Sequence, residues 1–359
     1  MFFDLLTFLA LEVIAPALHF VVLTDIPKNS TVDFLSSKQT LLERENAFRE
    51  AFLARLSQKL AAPSAQWPTV RCWTESALNK IFRQVRDELA TEDVKSDLSH
   101  SSLLDWLCRL RLAAGLPIEG ESVYLLEIGA SAEAEISPLE LLMAGKPSGI
   151  ICYFSAVAFH GLTTQLVQHQ HVAELQPQAS TTEKTQSETD LADQPQNPTP
   201  SKMRGPRGLG KILFRFQGVA FYSTRRSSRL VPGIQMRAYG PRAQIRITTL
   251  EQTLLDSLYK PFHCGGPEVV FEAWQEAVDS RRIDEERLVT YLRAMNYPAT
   301  TRRLAVMLEL AGGTPSAELQ QFLQASQEAI DRQSPHACIS LLPGVDYQNV
   351  NESWLVSTP

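Results

Sequence analysis

The stretch SHSSLLDWLCRLRLAAGLPIEGESVYLLEI (residues 99–128) decides how the fold of the N-terminal half is interpreted. In its first part the apolar residues recur at helical spacing, which predicts a helix that is capped by Asp97 or Ser99 and runs to Gly115. The predicted core stripe of this helix consists of Leu103, Leu107, Leu110 and Ala114. The second part indicates two short strands around Glu119-Gly120-Glu121, where glycine allows the turn of a hairpin.

Two further helical patterns precede this stretch. Residues 41–60 predict an amphipathic helix with Leu42, Phe48, Phe52 and Leu56 near one face, and residues 74–90 predict a second helix. A series of helices followed by a hairpin is typical of a winged helix-turn-helix, in which the last helix enters the DNA major groove. The alternative is a helical subdomain that ends in an unrelated hairpin. The candidate DNA-contacting residues of this part are Lys80, Arg83, Arg86, Ser101, Ser102 and Arg109.

The C-terminal half combines strand and helix patterns. Thr248-Thr249-Leu250-Glu251 resembles a capping box and predicts a helix that stops at Pro261. Strands are predicted over residues 212–216, 219–222, 244–247, 338–342 and 354–357, and further helices over residues 268–278, 284–295, 301–310 and 316–330. The predicted fold is therefore α+β: an N-terminal winged helix-turn-helix, then a mixed α/β C-terminal domain with a helical centre.

Residues 168–201 contain no aromatic residue and are rich in Gln, Ser, Thr and Pro, which predicts a disordered linker or insertion. On this interpretation His169 and His171 are a solvated pair at the linker's edge. The predicted domains are an N-terminal extension with an amphipathic helix (1–62), the winged helix-turn-helix (63–128), the first part of the C-terminal domain (129–167), the linker (168–201) and the C-terminal α+β domain (202–359).

Charge is distributed unevenly along the chain. The net charge is -6, yet residues 202–250 contain eleven Lys and Arg and no Asp or Glu. A stretch of one sign can place a positive field on one face of an acidic protein, and Arg suits phosphate oxygens. The candidate DNA-contacting residues of this stretch are Arg204, Arg207, Lys211, Arg225, Arg226 and Arg229, interleaved with Phe and Tyr. The alternative is a solvated basic face that balances acidic helices.

Other chemistries are less well supported by the sequence. GPRGLGKI (residues 205–212) resembles a phosphate-binding loop but has Ile where the magnesium-ligating Ser or Thr belongs. No zinc-type spacing of His and Cys occurs, and Ser155 and His160 point to different faces of one predicted helix. These residues therefore give no support for nucleophilic catalysis, and we expect no metal site.

The expected location is the cytoplasm. Five separated cysteines without a secretory signal indicate a reducing compartment, and they are interpreted as small core residues. The apolar run at residues 5–24 is interrupted by Glu12, Pro16 and His19, which disfavours a membrane span. We expect this run to be buried or to face a partner, or to be an extension that results from a misplaced start codon.

Three stretches together resemble the AbiE-type antitoxin family (AbiEi) of type IV toxin-antitoxin systems. The first is GIICYFSAVAFHGL (residues 149–162), and the second, which is the most specific, is IRITTLEQTLLD (residues 245–256) with Pro261 and Gly265-Gly266 beyond it. The third is residues 301–312, followed by Leu342-Pro343-Gly344 and Trp354. Residues 1–60 and the Gln/Pro/Thr-rich linker have no counterpart in this resemblance.

The resemblance implies a DNA-binding antitoxin that represses its own operon through the winged helix-turn-helix. The C-terminal domain would assist DNA binding and antagonise a cognate nucleotidyltransferase-like toxin in phage defence, without a stable complex. The family is not enzymatic, so the resemblance implies a protein that is not an enzyme and has no cofactor and no small-molecule substrate. The expected partners are operator DNA and, functionally, that toxin. Two alternatives stay open: a protein-interaction module without specific DNA binding and, least favoured, a nucleotide-dependent activity through Lys211.

Overall fold

The computed structural model describes residues 28–61, 71–176, 208–239, 243–330 and 338–359. They form a mixed α+β structure, as the sequence predicts at this coarse level. Among the helices of this part of the chain, none is both long enough and apolar enough to cross a bilayer.

The chain divides into two compact units, each assembled from two segments. Met1–Ala62 and Glu75–Ala113 form the first unit, and Pro63–Thr74 and Ala114–Pro359 form the second. The apolar run predicted at residues 5–24 lies outside the described residues.

The first unit contains three helices in its described part: α1 (Lys28–Ala61), α2 (Glu75–Thr91) and α3 (His100–Arg109). Helix α1 begins well before the predicted start at residue 41. Its predicted core residues Phe48 and Phe52 are buried, and Phe52 meets Phe82 of α2 edge to face with ring centroids 5.2 Å apart. These aromatic contacts between the helices form part of the core of the first unit.

The prediction that α3 runs to Gly115 is wrong. Arg111 adopts a left-handed conformation with φ of 53°, and the Leu112 N–H donates to the Leu107 carbonyl at 2.9 Å. A left-handed residue together with this hydrogen bond closes a helix, so α3 ends at Arg109. Ala114 consequently lies in a strand rather than in the core stripe of the helix.

Twelve strands form three sheets in the described part of the chain. They are β1 (Cys72–Thr74), β2 (Ala113–Gly115), β3 (Val123–Leu126), β4 (Ile150–Ile151), β5 (His169–Gln176), β6 (Lys211–Phe216), β7 (Val219–Ser227), β8 (Ile234–Tyr239), β9 (Ala243–Thr248), β10 (Ile339–Ser340), β11 (Asn349–Asn351) and β12 (Val356–Thr358). The sheet orders are β1-β3-β2, β6-β7-β5-β4-β9-β8 and β10-β12-β11. Strand β3 corresponds to the second strand of the predicted hairpin. The prediction of the first strand after Gly115 is wrong: β2 consists of residues 113–115, which were predicted to belong to the preceding helix.

The six-stranded sheet is mixed. Its β6–β7 hairpin turns at Gln217 and Gly218, whose positive φ values of 49° and 79° suit a two-residue turn. Strand β5 runs parallel to β7, with His171 opposite Tyr222. The prediction that a disordered linker begins at residue 168 is therefore wrong, since residues 169–176 form a central strand. Residues 177–201 of that predicted linker lie outside the described residues.

The described part of the second unit also contains seven α-helices. They are α4 (Pro138–Gly145), α5 (Phe154–Phe159), α6 (Leu250–Tyr259), α7 (Pro267–Asp279), α8 (Glu285–Met295), α9 (Pro298–Leu310) and α10 (Ala317–Glu328). The predicted helices from residue 250 onward are thus confirmed to within a few residues. The cap of α6 is Thr249, whose hydroxyl accepts the Gln252 N–H at 3.2 Å, one residue later than the capping-box pattern suggests.

Two apolar clusters within the second unit share the six-stranded sheet. One contains Ile151, Val172 and Ile247 of the sheet with Leu141 of α4. The other contains the apolar side chains of α6 to α9 around the fully buried Trp274. Successive residues of a strand point to opposite faces of the sheet, so the position of a residue along its strand decides which of the two clusters its side chain joins.

Candidate nucleic-acid interface

Helix α2 separates a core face from a cationic face. Leu78, Ile81 and Val85 of the core face are buried, whereas Lys80 and Arg83 on the other side are exposed. This division follows from the helical period of 3.6 residues, which places apolar positions three and four apart on one side. Two of the three predicted cations of α2 are thus available to a ligand, and the third, Arg86, is half-buried.

The first turn of α3 is polar and exposed. The Ser99 hydroxyl caps the helix by accepting the Ser102 N–H at 3.1 Å, as one of the two predicted caps requires. The same hydroxyl lies 2.8 Å from the hydroxyls of both Ser101 and Ser102. Free N–H groups and the helix dipole make such a turn favourable for an anion. Three hydroxyl groups and the helix N-terminus therefore converge at one point on the surface.

The positive charges of α2 act on His100, the first residue of α3. Burial lowers the pKa of His100, and the positive charges of Arg86 and Arg83 lower it further. Arg86 also donates from Nη2 to the Ser96 carbonyl at 3.0 Å, which links α2 to the segment before α3. His100 is the residue of this cluster that the sequence analysis did not select. Its only signal in the sequence is its place directly after the cap.

Acidic side chains weaken the positive electrostatic field of α2 and α3 at two places. Asp105 on α3 and Asp87 on α2 are exposed. Arg109 is exposed, and its Nε donates to the backbone carbonyl of Asp105 at 3.4 Å, so its charge stays available at the surface. Glu88 differs from the two aspartates because it pairs with Lys59 of α1 at 2.7 Å.

The cations predicted in the basic stretch fall into three groups. Lys211, Arg225 and Arg229 are exposed in the second unit. Arg204 and Arg207 lie outside the described residues. Arg226 is buried, with 6% of its surface exposed. Exposure alone therefore keeps three of these six residues as candidates for contact with phosphate.

Arg226 is not a surface cation, which corrects its selection as a DNA-contacting residue. Its two terminal nitrogens each donate to an oxygen of Asp256 at 2.6 Å, and Asp256 is fully buried in α6. Gln252 donates to the same carboxylate at 2.8 Å, and the guanidinium lies over the Tyr153 ring at 4.8 Å. Fork-shaped pairing of this kind needs geometry that is fixed by the core, so Arg226 holds β7 against α6.

The aromatic residues interleaved with this basic stretch are not surface residues either. The buried members are Phe214, Phe216, Phe221 and Tyr222. Phe214 and Phe221 stack with centroids 4.7 Å apart across the β6–β7 pair. In β6 the buried Phe214 and Phe216 alternate with the exposed Arg215, whereas in β7 the successive residues Phe221 and Tyr222 are both buried.

The interpretation of His169 and His171 as a solvated pair is wrong. Both lie in β5, and His171 is fully buried between Tyr222, at 5.4 Å, and Tyr153, at 5.4 Å. Burial lowers the pKa of His171 well below its usual value, and His169 and His263 lower it further. Burial also lowers the pKa of His263 to about 3. These rings are therefore neutral at physiological pH.

The remaining candidate chemistries find no assembled site in the described part of the chain. Ser155 Oγ donates to Gln170 Oε1 at 2.6 Å, while a ring nitrogen of His160 lies 2.8 Å from the Thr248 carbonyl, so they form no nucleophile-base pair. Lys211 begins strand β6, whereas a phosphate-binding loop must open a helix. Within the described ranges no group of three or more His, Cys, Asp or Glu is arranged to hold a metal ion.

The cysteines follow the prediction in part. Cys72, Cys152 and Cys264 are buried, Cys108 is intermediate, and Cys338 is exposed. Cys338 departs from the prediction because it precedes the short strand β10 instead of lying within it.

Comparison with known proteins identifies no family. No family model matches the chain, and no curated protein matches it. Among solved structures, the chain is similar to the RV2827C protein from Mycobacterium tuberculosis, with 14% sequence identity and a TM-score of 0.45. The alignment covers 85% of this chain and 90% of that one.

Proposed function

We propose that the protein is a DNA-binding transcriptional regulator whose helix α3 enters the major groove. The observation that carries the proposal is the first turn of α3: its Ser101 and Ser102 are exposed, and the positive charges of Arg86 and Arg83 of α2 act on His100 of the same turn. Arginine forks and a helix N-terminus both bind phosphate oxygens, and residues near the start of a recognition helix contact base edges. Hydroxyl groups at this position can donate to either phosphate or bases.

The order of elements supports the same proposal. Strand β1 directly precedes α2, and β2 directly follows α3. In the sheet, β3 lies between β1 and β2, so the two strands that follow α3 are neighbours. Helices followed by such a pair of strands are typical of a winged helix-turn-helix, in which the hairpin lies against the DNA backbone.

The regulator is further proposed to act as the antitoxin of a type IV system, repressing its operon and antagonising a nucleotidyltransferase-like toxin. This part of the proposal rests on the resemblance to the AbiE-type antitoxins. Residues 245–256, the most specific of the three stretches, form strand β9 and the capped helix α6, which is the arrangement that the resemblance implies. The cytoplasm is the proposed location, because that is where an operator would be bound.

The DNA-binding part can be tested by fluorescence anisotropy with a duplex from the gene's own upstream region and a scrambled duplex of equal length. We expect Arg83→Gln to weaken binding about tenfold and to reduce the slope of log affinity against log salt by about 0.9 for each lost phosphate contact. Arg44→Gln is the matched control, since Arg44 is an exposed arginine of the same unit on α1. Equal affinity for both duplexes, or equal effects of the two substitutions, would refute specific binding through this surface.

The antitoxin part needs a separate test. Co-expression with a nucleotidyltransferase encoded next to the gene should restore growth if the protein antagonises that toxin. Arg83→Gln should weaken repression of a reporter driven by the upstream region. If the adjacent gene product is not toxic, or its toxicity is unchanged by the protein, the antitoxin proposal is wrong while the DNA-binding result stands.

A further inference from the structure

A cavity opens in the second unit at the place where strand β4 begins. Strand β4 contains two residues, and Ile150 is paired with Ala173 of the neighbouring β5. Because the two strands are antiparallel, the continuation of β5 from Glu174 to Gln176 lies opposite the residues that precede β4. The sheet is therefore split between β5 and β9 on this side. The cavity has a volume of about 590 Å³ and is lined by Ser148, Glu174, Leu175, Gln176, Arg225 and Arg246.

Two guanidinium groups enter this cavity from different strands. Arg225 of β7 is exposed and has no hydrogen-bond or ion-pair partner among the described residues. Arg246 of β9 is half-buried, and its Nη1 donates to the Ser148 carbonyl at 3.0 Å. That hydrogen bond fixes the direction of the side chain and leaves its other nitrogens without a partner in the described part of the chain.

The charge of the cavity favours an anion. Glu174 is the acidic side chain among the described lining residues, and it is paired with Lys146 at 2.8 Å. Counting Lys146, Arg225 and Arg246 against Glu174 leaves two uncompensated positive charges. Guanidinium forks suit phosphate oxygens, and a volume of this size is typical of a small-molecule pocket.

We propose that this cavity binds a phosphorylated small molecule, whose phosphate lies between Arg225 and Arg246. A concave site of this size suits a small ligand better than the convex backbone of a DNA duplex, whose phosphates can be reached by cations on an open surface. Ser148 and Gln176 at the rim are exposed polar residues that can bind the rest of the ligand. This inference is independent of DNA binding by α3, because all the residues that form it belong to the second unit.

Isothermal titration of the full chain with inorganic pyrophosphate tests the proposal. We expect saturable binding that Arg225→Gln weakens about tenfold, as loss of a charge-assisted hydrogen-bond partner implies. Glu174→Gln should tighten binding, because it raises the net charge of the cavity. Arg237→Gln is the matched control: Arg237 is an exposed arginine on β8 of the same sheet and does not line the cavity, so pyrophosphate affinity should be unchanged.

A random DNA duplex, titrated in the same buffer, distinguishes a small ligand from the DNA backbone. Retained duplex binding by Arg225→Gln, together with weakened pyrophosphate binding, supports the proposal. The proposal is overturned if pyrophosphate does not bind, or if Arg237→Gln weakens pyrophosphate binding as much as Arg225→Gln does. It is also overturned if Arg225→Gln weakens binding of the duplex as much as binding of pyrophosphate and pyrophosphate displaces the duplex. If Arg225→Gln does not fold, Glu174→Gln still tests the proposal. Tighter binding of pyrophosphate by Glu174→Gln supports it, and unchanged or weaker binding refutes it.

Discussion

Arg225 and Arg226 are neighbours in the sequence, but one is exposed and the other is buried. Replacing each one separately therefore shows how much each charge contributes to stability. Arg225 is exposed, whereas Arg226 is buried and its guanidinium spans both oxygens of Asp256 at 2.6 Å. Arg226→Met leaves Asp256 with a hydrogen bond from Gln252 but without a cation. Arg225→Met removes a charge that has no partner among the described residues.

The expected difference in stability follows from burial. Removing one partner of a buried ion pair costs about 3–5 kcal/mol, because the other charge stays buried without compensation. An exposed substitution away from such contacts changes the free energy of unfolding by about 0.5 kcal/mol or less. A domain is stable by about 5–15 kcal/mol, so Arg226→Met should lose a large fraction of the stability of the second unit.

Urea unfolding of the full chain, followed by tryptophan fluorescence, measures both variants. The fully buried Trp274 donates from Nε1 to Ser257 Oγ of α6 at 3.1 Å and therefore reports on the helix that carries Asp256. Arg226→Met combined with Asp256→Leu should be less destabilised than Arg226→Met alone, because it removes both charges. Equal midpoints for Arg226→Met and the wild type would refute the assignment of Arg226 to the core. So would weakened DNA binding by Arg226→Met at unchanged stability.

Three more predictions concern other parts of the molecule. Burial lowers the pKa of His263 to about 3, so the stability gained from keeping its ring neutral is fully present above the unfolded pKa of about 6.5 and is lost as pH falls. The free energy of unfolding in urea should therefore be about 2 kcal/mol lower at pH 5 than at pH 7 because of this residue. His263→Phe should reduce that difference. Ser99→Ala should cost about 1 kcal/mol by removing the cap of α3, whereas Ser101→Ala, the exposed neighbour, should cost less in the same thermal unfolding assay. Asp105→Asn should raise DNA affinity about threefold at low salt by removing an exposed like charge near phosphate, and an unchanged or lower affinity would contradict the orientation proposed for α3.

Local patterns in the sequence predicted most helices of this fold. The periodicity of residues 74–90 corresponds to α2, and Ser99 is the cap of α3. The helices after residue 250 follow equally from apolar spacing and from Pro and Gly at their ends. These features depend on residues that are close in the chain, and local spacing records them directly. The surface residues of α2 and α3 could be selected for the same reason.

Long-range pairing explains what the sequence did not predict. Strand β5 pairs with β7, from which it is separated by the residues of the predicted linker, and its sequence HQHVAELQ carries polar residues that resemble a linker. His171 is nevertheless buried, because Tyr153 and Tyr222 cover it from other elements. The burial of Arg226 likewise depends on Asp256, a residue of α6. No pattern within β5 or β7 alone contains this information.

The alternation of strand residues also changes what the basic stretch can contribute to DNA binding. Arg226 faces α6 and its charge is paired with that of Asp256, so the positive field of the second unit is weaker than the eleven cations of residues 202–250 suggest. Exposed cations such as Lys211 and Arg229 remain able to attract DNA without selecting a sequence. Under the proposed function, sequence discrimination therefore depends on the first turn of α3. Substitutions there should change the ratio of specific to random affinity, whereas Arg229→Gln should lower both affinities alike.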